Sequence, residues 1–298
     1  MKVIVPKRSG FCPGVKHAEK KLFKTKNVEG NTPIYVYGYM INNSNYIKYL
    51  EENRIYTVES PEGLPEGALV VIRTHGIDRR VEAELRKRFD VIDLTCPNVK
   101  RVQLKLQEES DKGALVVITG KKTHPEVLGL VSYAARAEVI ENEEDLARFI
   151  EWCKSHREEV CSRFSKIFVA SQTTGSRNLF VRVLTEVRSS CNSDIPVEEF
   201  NSICPITANK EKDSLKIQKR VNVTFVIGDP LSSNANKLYT VLKNADPSTF
   251  FIQDAEELKS IALSGYKVAQ VVSSASTPEF VEEAVISYLE EDHHGTAD

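Results

Sequence analysis

Three cysteines in the chain stand immediately before a proline: Cys12-Pro13, Cys96-Pro97 and Cys204-Pro205. Proline suits the first turn of a helix, where a backbone N–H would lack a partner, so each pair marks a helix start with the thiol just ahead of it. The positive end of the helix dipole there favours negative charge on sulfur. Each pair also stands at a strand-to-helix corner: the apolar run Val3-Ile4-Val5 precedes Gly10-Phe11-Cys12, Val91-Ile92-Asp93-Leu94-Thr95 leads into Cys96, and Asn201-Ser202-Ile203 leads into Cys204. Three thiolates of this kind could hold metal if the fold brought them together. A three-cysteine zinc site needs a fourth ligand, usually His, and is structural when closed. A [4Fe–4S] cluster on three cysteines leaves one iron without a protein ligand, open to substrate or water. Three buried thiols are the plain alternative. The wide spacing matches no local Cys-x-x-Cys motif, so the fold would have to assemble the site.

A second set of residues points to an anion. His75, His124, Thr173, Ser232, Ser233, Asn234 and Ser276 are hydrogen-bond donors with few fixed cations among them, which suits a phosphate or diphosphate. Each has a structural alternative: a helix N-cap at Ser232-Ser233-Asn234, a turn at His75-Gly76, strand-end caps at Thr173 and Ser276. Asp229, between Gly228 and Pro230, reads as a turn residue. Glu126 after His124-Pro125 is either a solvent-facing carboxylate at a helix start or a proton carrier. Shut away from water, its carboxyl would hold a proton near neutral pH.

The elements that must position these residues alternate between apolar runs and amphipathic stretches, the pattern of an α/β fold. Strands are expected at 3–5, 33–38, 67–72, 91–94, 113–118, 138–140, 166–170, 223–227, 250–252 and 267–272. Helices are expected at 16–23, 43–53, 79–88, 98–112, 143–154, 177–190, 207–219, 235–243, 255–262 and 278–290, with 154–165 a charged helix or loop. His124 lies 28 residues after Cys96, Ser232 lies 28 after Cys204, and Asn42 lies 30 after Cys12. Each is followed or preceded by a second polar strand end: His75, Thr173 and Ser276. This repetition predicts three similar units, 14–97, 98–203, and 204–290 joined by the N-terminal strand 1–13, with a polar tail at 291–298. Ligands of parallel sheets collect at the carboxyl ends of strands, where every polar cluster falls. Three such ends facing inward would make one central pocket.

Composition narrows the setting. Lys and Arg number 40 against 42 Asp and Glu, so nothing draws the chain to nucleic acid or to an anionic membrane. No apolar run reaches transmembrane length, and the first run is too brief for a signal peptide, so a cytoplasmic location is expected. With six cysteines in a long chain and no export signal, disulfides are not expected, and Cys153, Cys161 and Cys191 read as packed or surface thiols. The His293-His294 pair of the tail reads as exposed.

Taken in order, the motifs resemble a known family. Gly-Phe-Cys-Pro-Gly-Val at 10–15, Thr-His-Gly at 74–76, Thr-Cys-Pro at 95–97, His-Pro-Glu-Val at 124–127, Ser-Gln-Thr-Thr at 171–174, Ser-Ser-Asn at 232–234 and Ala-Ser-Thr-Pro at 275–278 look like those of the 4-hydroxy-3-methylbut-2-enyl diphosphate reductases. These enzymes catalyse the last step of the non-mevalonate isoprenoid pathway. The resemblance runs from residue 3 to about residue 289. It implies a trefoil of three α/β domains with pseudo-threefold symmetry around one [4Fe–4S] cluster held by Cys12, Cys96 and Cys204. It puts Asn42, His75, His124, Ser232, Ser233, Asn234 and Ser276 on the substrate diphosphate and Thr173 on the substrate hydroxyl. Glu126, Thr173 and His124 form the implied catalytic set, with Glu126 relaying protons. Reduced ferredoxin or flavodoxin is the implied electron donor. The chain departs from the family at Asn42-Asn43, where His-Asn is usual, and at Ser274, where Gly is frequent. Asn42 can donate a neutral hydrogen bond but carries no charge, which implies weaker diphosphate binding. Two alternatives stand beside this reading: an iron–sulfur electron carrier or sensor of the same fold, which would not need Glu126, Thr173 and the diphosphate loops, and a zinc-stabilised phosphate-binding protein.

Overall fold

The computed structural model describes residues 1–191 and 193–291, so the tail from 292, with its His293-His294 pair, lies outside the described residues. The chain divides into two compact units: Met1–Val58 together with the chain from Pro205 onward, and Glu59–Cys204. The first unit opens with β1 (Lys2–Ile4), α1 (Pro13–Glu29), β2 (Ile34–Tyr37), α2 (Ser44–Glu52) and β3 (Ile55–Val58). The second contains β4 (Leu69–Ile72), α3 (Arg79–Arg88), β5 (Asp90–Asp93), α4 (Pro97–Asp111), β6 (Ala114–Thr119), α5 (Pro125–Val131), β7 (Ala137–Ile140), α6 (Glu143–Ser155), α7 (Arg157–Arg163), β8 (Lys166–Ser171), α8 (Arg177–Cys191) and β9 (Val197–Phe200). The chain then returns to the first unit with α9 (Pro205–Gln218), β10 (Val223–Ile227), α10 (Ser233–Ala245), β11 (Thr249–Ile252), a 3₁₀ turn at Glu256–Ser260, β12 (Val268–Ser273) and α11 (Glu279–Glu290).

The fold class is α/β, and every strand pairing is parallel. In the second unit one sheet runs β7-β6-β8-β9, and β4 pairs with β5. In the first unit one sheet runs β1-β12-β10-β11, and β2 pairs with β3. Sheets covered on both faces need near-continuous apolar inner strands, and both have them: every residue of β6 (ALVVIT) and of β10 (VTFVI) is buried, with one threonine in each. One face of β6 and β8 packs with α6 and α8 through Leu115, Val117, Phe149, Ile167, Val183 and Val187. The other face packs with α4 and α5 through Val102, Leu106, Val116, Ile118 and Leu130. These layers hold the carboxyl ends of the inner strands rigidly.

Four elements differ from the sequence reading, one being α5, whose seven residues are too few to show a helical period. Strand β3 was not expected; it follows Arg54, whose φ of 59° turns the chain sharply after α2. The strand before Cys204 is Val197–Phe200, not Asn201–Ile203, because its central Glu198 and Glu199 sit exposed on an edge strand and hide the β pattern. The helix expected at 255–262 is only a 3₁₀ turn, since Leu258 is its single buried side chain and no apolar stripe supports further turns. The charged 154–165 stretch resolves into α7, separated from α6 at His156. No described helix is long and apolar enough to cross a membrane.

Candidate functional site

The three Cys-Pro corners share one construction. Each cysteine follows an edge strand (β1, β5 or β9) and precedes the proline that opens α1, α4 or α9. Each donates its backbone N–H to the loop that leaves the neighbouring inner strand. Cys96 N bonds Thr74 O at 2.9 Å, Cys204 N bonds Thr173 O at 2.7 Å, and Cys12 N bonds Ala275 O at 3.5 Å. All three acceptors lie two residues beyond a strand end, at Ile72, Ser171 and Ser273. Cys12 and Cys96 stand at the N-cap position in extended conformation, and neither thiol caps its helix. The Cys204 sulfur accepts from Asn98 Nδ2 at 3.5 Å. The equivalence also corrects the repeat read from sequence: Thr173 matches Thr74 and Ala275, so it lies one residue ahead of the positions of His75 and Ser276.

In the second unit, β6 and β8 flank the point where strand order reverses, because β6 leads to β7 on one side and β8 lies on the other. Loops diverge there and leave a crevice at the carboxyl ends. Gly120 makes the close approach possible, since a Cβ on it would sit 2.8 Å from Gln172 Cβ. Into this point project Glu126 and Thr173. Glu126 is 1 % exposed, and Thr173 gives it two hydrogen bonds, N–H to Oε1 at 2.6 Å and Oγ1 to Oε2 at 2.8 Å. Burial pushes the Glu126 carboxyl up to about 7, against the pull of the Thr173 bonds. The solvent-facing alternative for Glu126 is thereby excluded. His124 caps α5, its Nδ1 accepting from Glu126 N–H at 3.1 Å, which leaves the proton of the neutral ring on Nε2. Its ring stands edge-on to that of His75 at 5.5 Å. Burial lowers both: His75 to about 3, helped by His124 and Arg73, and His124 to about 4, helped by Arg73 and Lys121. His75 Nδ1 is buried with no protein partner.

The first unit repeats this plan at β10 and β12, again the inner pair where strand order reverses. Gly228 stands where Gly120 does; a Cβ there would fall 2.4 Å from Ala235 Cβ. Ser274 N bonds Ile227 O at 2.8 Å, just as Gln172 N bonds Thr119 O at 2.8 Å. Across the reversal Ser232 Oγ and Ser276 Oγ are 3.0 Å apart, and Ser274 Oγ is 3.0 Å from Ser276 Oγ. Ser232 also caps α10, with Ala235 N as donor at 3.3 Å. Cap and cluster member are therefore one residue. Asn234 Nδ2 is buried and has no protein partner. Asp229 is the turn residue expected, accepting from Leu231 N at 2.8 Å, and it also takes the N–H and hydroxyl of Ser44, both at 3.1 Å. Asn43 caps α2 through Tyr46 N–H at 2.9 Å. Asn42 is half-buried and spends a donor on Leu231 O at 3.3 Å, one residue before Ser232.

Two residues escaped the sequence reading. Arg73 brings a fixed positive charge to both histidines; its signal was its place at the end of β4, one residue before Thr-His-Gly. Lys210 is buried in α9, and nothing in the sequence distinguishes it from a surface lysine. No cysteine forms a disulfide among the described residues. Cys153 and Cys191 pack in the core, and Cys161 is exposed, as expected of packed and surface thiols. Among the described residues no three His, Cys, Asp or Glu side chains form a set for a single metal ion. A cluster binds one thiolate per iron and makes no such demand. The donor set suits it: three thiols at equivalent helix starts, with neither Cys12 nor Cys96 spent on a cap.

The LytB protein family model matches residues 3–290. A 4-hydroxy-3-methylbut-2-enyl diphosphate reductase of Alkaliphilus oremlandii is 32% identical over 292 residues, covering 97% of this chain and 99% of that protein. A protein of the same name from Clostridium tetani is 32% identical over 284 residues, and this chain spans 42% of its length. A solved structure of (E)-4-hydroxy-3-methyl-but-2-enyl diphosphate reductase, the terminal enzyme of the non-mevalonate pathway, superposes with a TM-score of 0.72 at 31% identity, covering 98% of this chain and all of that one.

Proposed function

The chain belongs to the LytB protein family, and from that premise we propose that it reduces (E)-4-hydroxy-3-methylbut-2-enyl diphosphate to isopentenyl and dimethylallyl diphosphates. The reaction takes two electrons and two protons and releases the hydroxyl as water. Cys12, Cys96 and Cys204 would hold one [4Fe–4S] cluster, which would supply the electrons and a Lewis-acidic iron for the hydroxyl oxygen. The three units 14–97, 98–203 and 204–290 with 1–13 would surround it as a trefoil, a reading supported by the common construction of the three corners. A reduced ferredoxin or flavodoxin would deliver the electrons, and the cytoplasm is the expected setting.

The observation that carries the proposal is the Glu126–Thr173 pair. A carboxyl at about 7 is half-protonated at neutral pH, so it can give a proton and recover it within one turnover. Thr173 Oγ1, already bonded to Glu126 Oε2, would touch the substrate hydroxyl and pass that proton on. His124 Nε2–H and His75 would face the diphosphate as neutral donors. The arriving negative charge would draw protons onto both rings and tighten the hold. Ser232, Ser233, Asn234 and Ser276 would complete the cradle, the unpartnered Asn234 Nδ2 finding its acceptor there. Asn42 would serve less through direct contact than through the Leu231 carbonyl it supports.

The test is anaerobic turnover of the diphosphate by cluster-reconstituted protein with a reduced viologen as donor. Consumption that depends on Glu126 and on each corner cysteine is the expected result. No turnover with about four irons bound per chain would overturn it in favour of an electron carrier or sensor. Zinc in place of iron and sulfide would favour the phosphate-binding alternative.

A further inference from the structure

Lys210 lies in the second turn of α9 and is 2 % exposed. A lysine so deeply buried is ordinarily paired with a carboxylate. No ion pair among the described residues includes it. Its ammonium instead donates to two backbone carbonyls, Gly10 O and Ser273 O, each at 2.7 Å. Gly10 lies two residues ahead of Cys12. Ser273 ends β12 and leads into the Ser274–Ser276 loop. Two further bonds stitch the same segments: Ser273 N–H to Ser9 Oγ at 2.8 Å, and Cys12 N–H to Ala275 O at 3.5 Å. Both of these are local pairings of neighbouring chain. Lys210 binds the two segments from outside, through a third element.

We propose that Lys210 is a positioning residue that locks the Cys12 corner and the Ser276 loop into one rigid piece, so that a cluster ligand and a diphosphate-binding hydroxyl are set against each other. The proposal rests on the reductase reading for what the two segments hold. Lysine is suited to the place because its terminal nitrogen is small and rotates freely, so it meets two carbonyls at once. Burial lowers it to about 7, with the Cys12 sulfur and Glu282 favouring the charged form and Lys16 opposing it. A neutral amine still carries two N–H groups, so the clamp holds in either state.

Hydrogen exchange on the cluster-free chain reads the clamp directly. Lys210→Met should speed exchange about tenfold in peptides spanning 6–15 and 270–278 together, and leave 228–236 unchanged. Val226→Ala, a core truncation under α10, serves as the control matched in melting temperature. In reconstituted protein Lys210→Met should raise KM for the diphosphate about tenfold with kcat within about threefold. If the methionine variant does not fold, Lys210→Gln, too short to reach both carbonyls, takes its place in both assays. Unchanged exchange in either segment would overturn the proposal, as would the same exchange pattern in Val226→Ala. Faster exchange in Lys210→Met, with a reconstituted wild-type chain that turns over no diphosphate, would leave the clamp standing and remove the reductase reading. Turnover with unchanged exchange would do the reverse.

Discussion

Replacing Glu126 with glutamine tests the proton carrier without emptying its pocket. The amide keeps both bonds: its oxygen accepts from Thr173 N–H and its nitrogen donates to Thr173 Oγ1, which now hold the carboxylate at 2.6 and 2.8 Å. What changes is the titration. The native carboxyl titrates at about 7 in the fold and at 4.5 when unfolded, a difference of about 3 kcal/mol between its two protonation states. Between pH 4.5 and 7 the folded chain keeps a proton that the unfolded chain has lost, so the stability due to Glu126 is complete below pH 4.5, falls through this window and is gone above it. Glu126→Gln carries no such slope. The variant should therefore match the wild type near pH 4.5 and exceed it by about 3 kcal/mol at pH 8 and above. Urea unfolding of both cluster-free proteins across this range reads the difference, and the two histidines cancel because both proteins carry them. A stability difference that stays flat, within about 0.5 kcal/mol, from pH 4.5 to 8 would show that the carboxyl is not held protonated and would remove it as a proton source.

Changing Cys12, Cys96 or Cys204 singly to serine should drop bound iron from about four to below one per chain, whereas Cys161→Ser should leave it unchanged; iron and sulfide analysis decides. Asn42→His should lower KM for the diphosphate about three- to tenfold with iron content unaffected, and an unchanged KM would confine position 42 to supporting Leu231. Gly76→Ala should cost about 2 to 4 kcal/mol, because φ is +71° and the added Cβ would lie 2.5 Å from Gln103 Nε2; an unaltered urea midpoint would refute it.

What the sequence revealed of this molecule depended on how local the cause was. Proline beside cysteine announces a helix start by itself, and all three corners stand where expected. The inner strands β6 and β10 are buried throughout and almost wholly apolar because both faces are covered. Edge strands carry no such signal, and Val197–Phe200 with its two exposed glutamates shows why. The burial of Glu126 was not legible, since it depends on a threonine 47 residues away across a sheet. Lys210 was less legible still: its partners are backbone carbonyls, which have no residue type to search for. The sequence allows Ser232 as a cap or as a ligand-site donor, and it is a cap that also joins Ser276, because the start of α10 lies at the strand-order reversal.

The pairing of β1 with β12 joins Lys2 to Val268 and Ile4 to Gln270. A ribosome releases the chain from its N-terminus, so Cys12 emerges early yet meets the Ala275 carbonyl only when synthesis is nearly over. Glu59–Cys204 is contiguous and can fold while translation continues. The first unit cannot: its opening strand must wait, unpaired, for a partner more than 260 residues behind it, the kind of distant closure that slows folding. The corner at Cys12 is thus the last to be built, and the proposed cluster could not be completed there before synthesis ends. Truncation anywhere before β12 would leave the opening strand unpaired and this cysteine without its backbone anchor, so a prematurely terminated chain would lack the Cys12 corner.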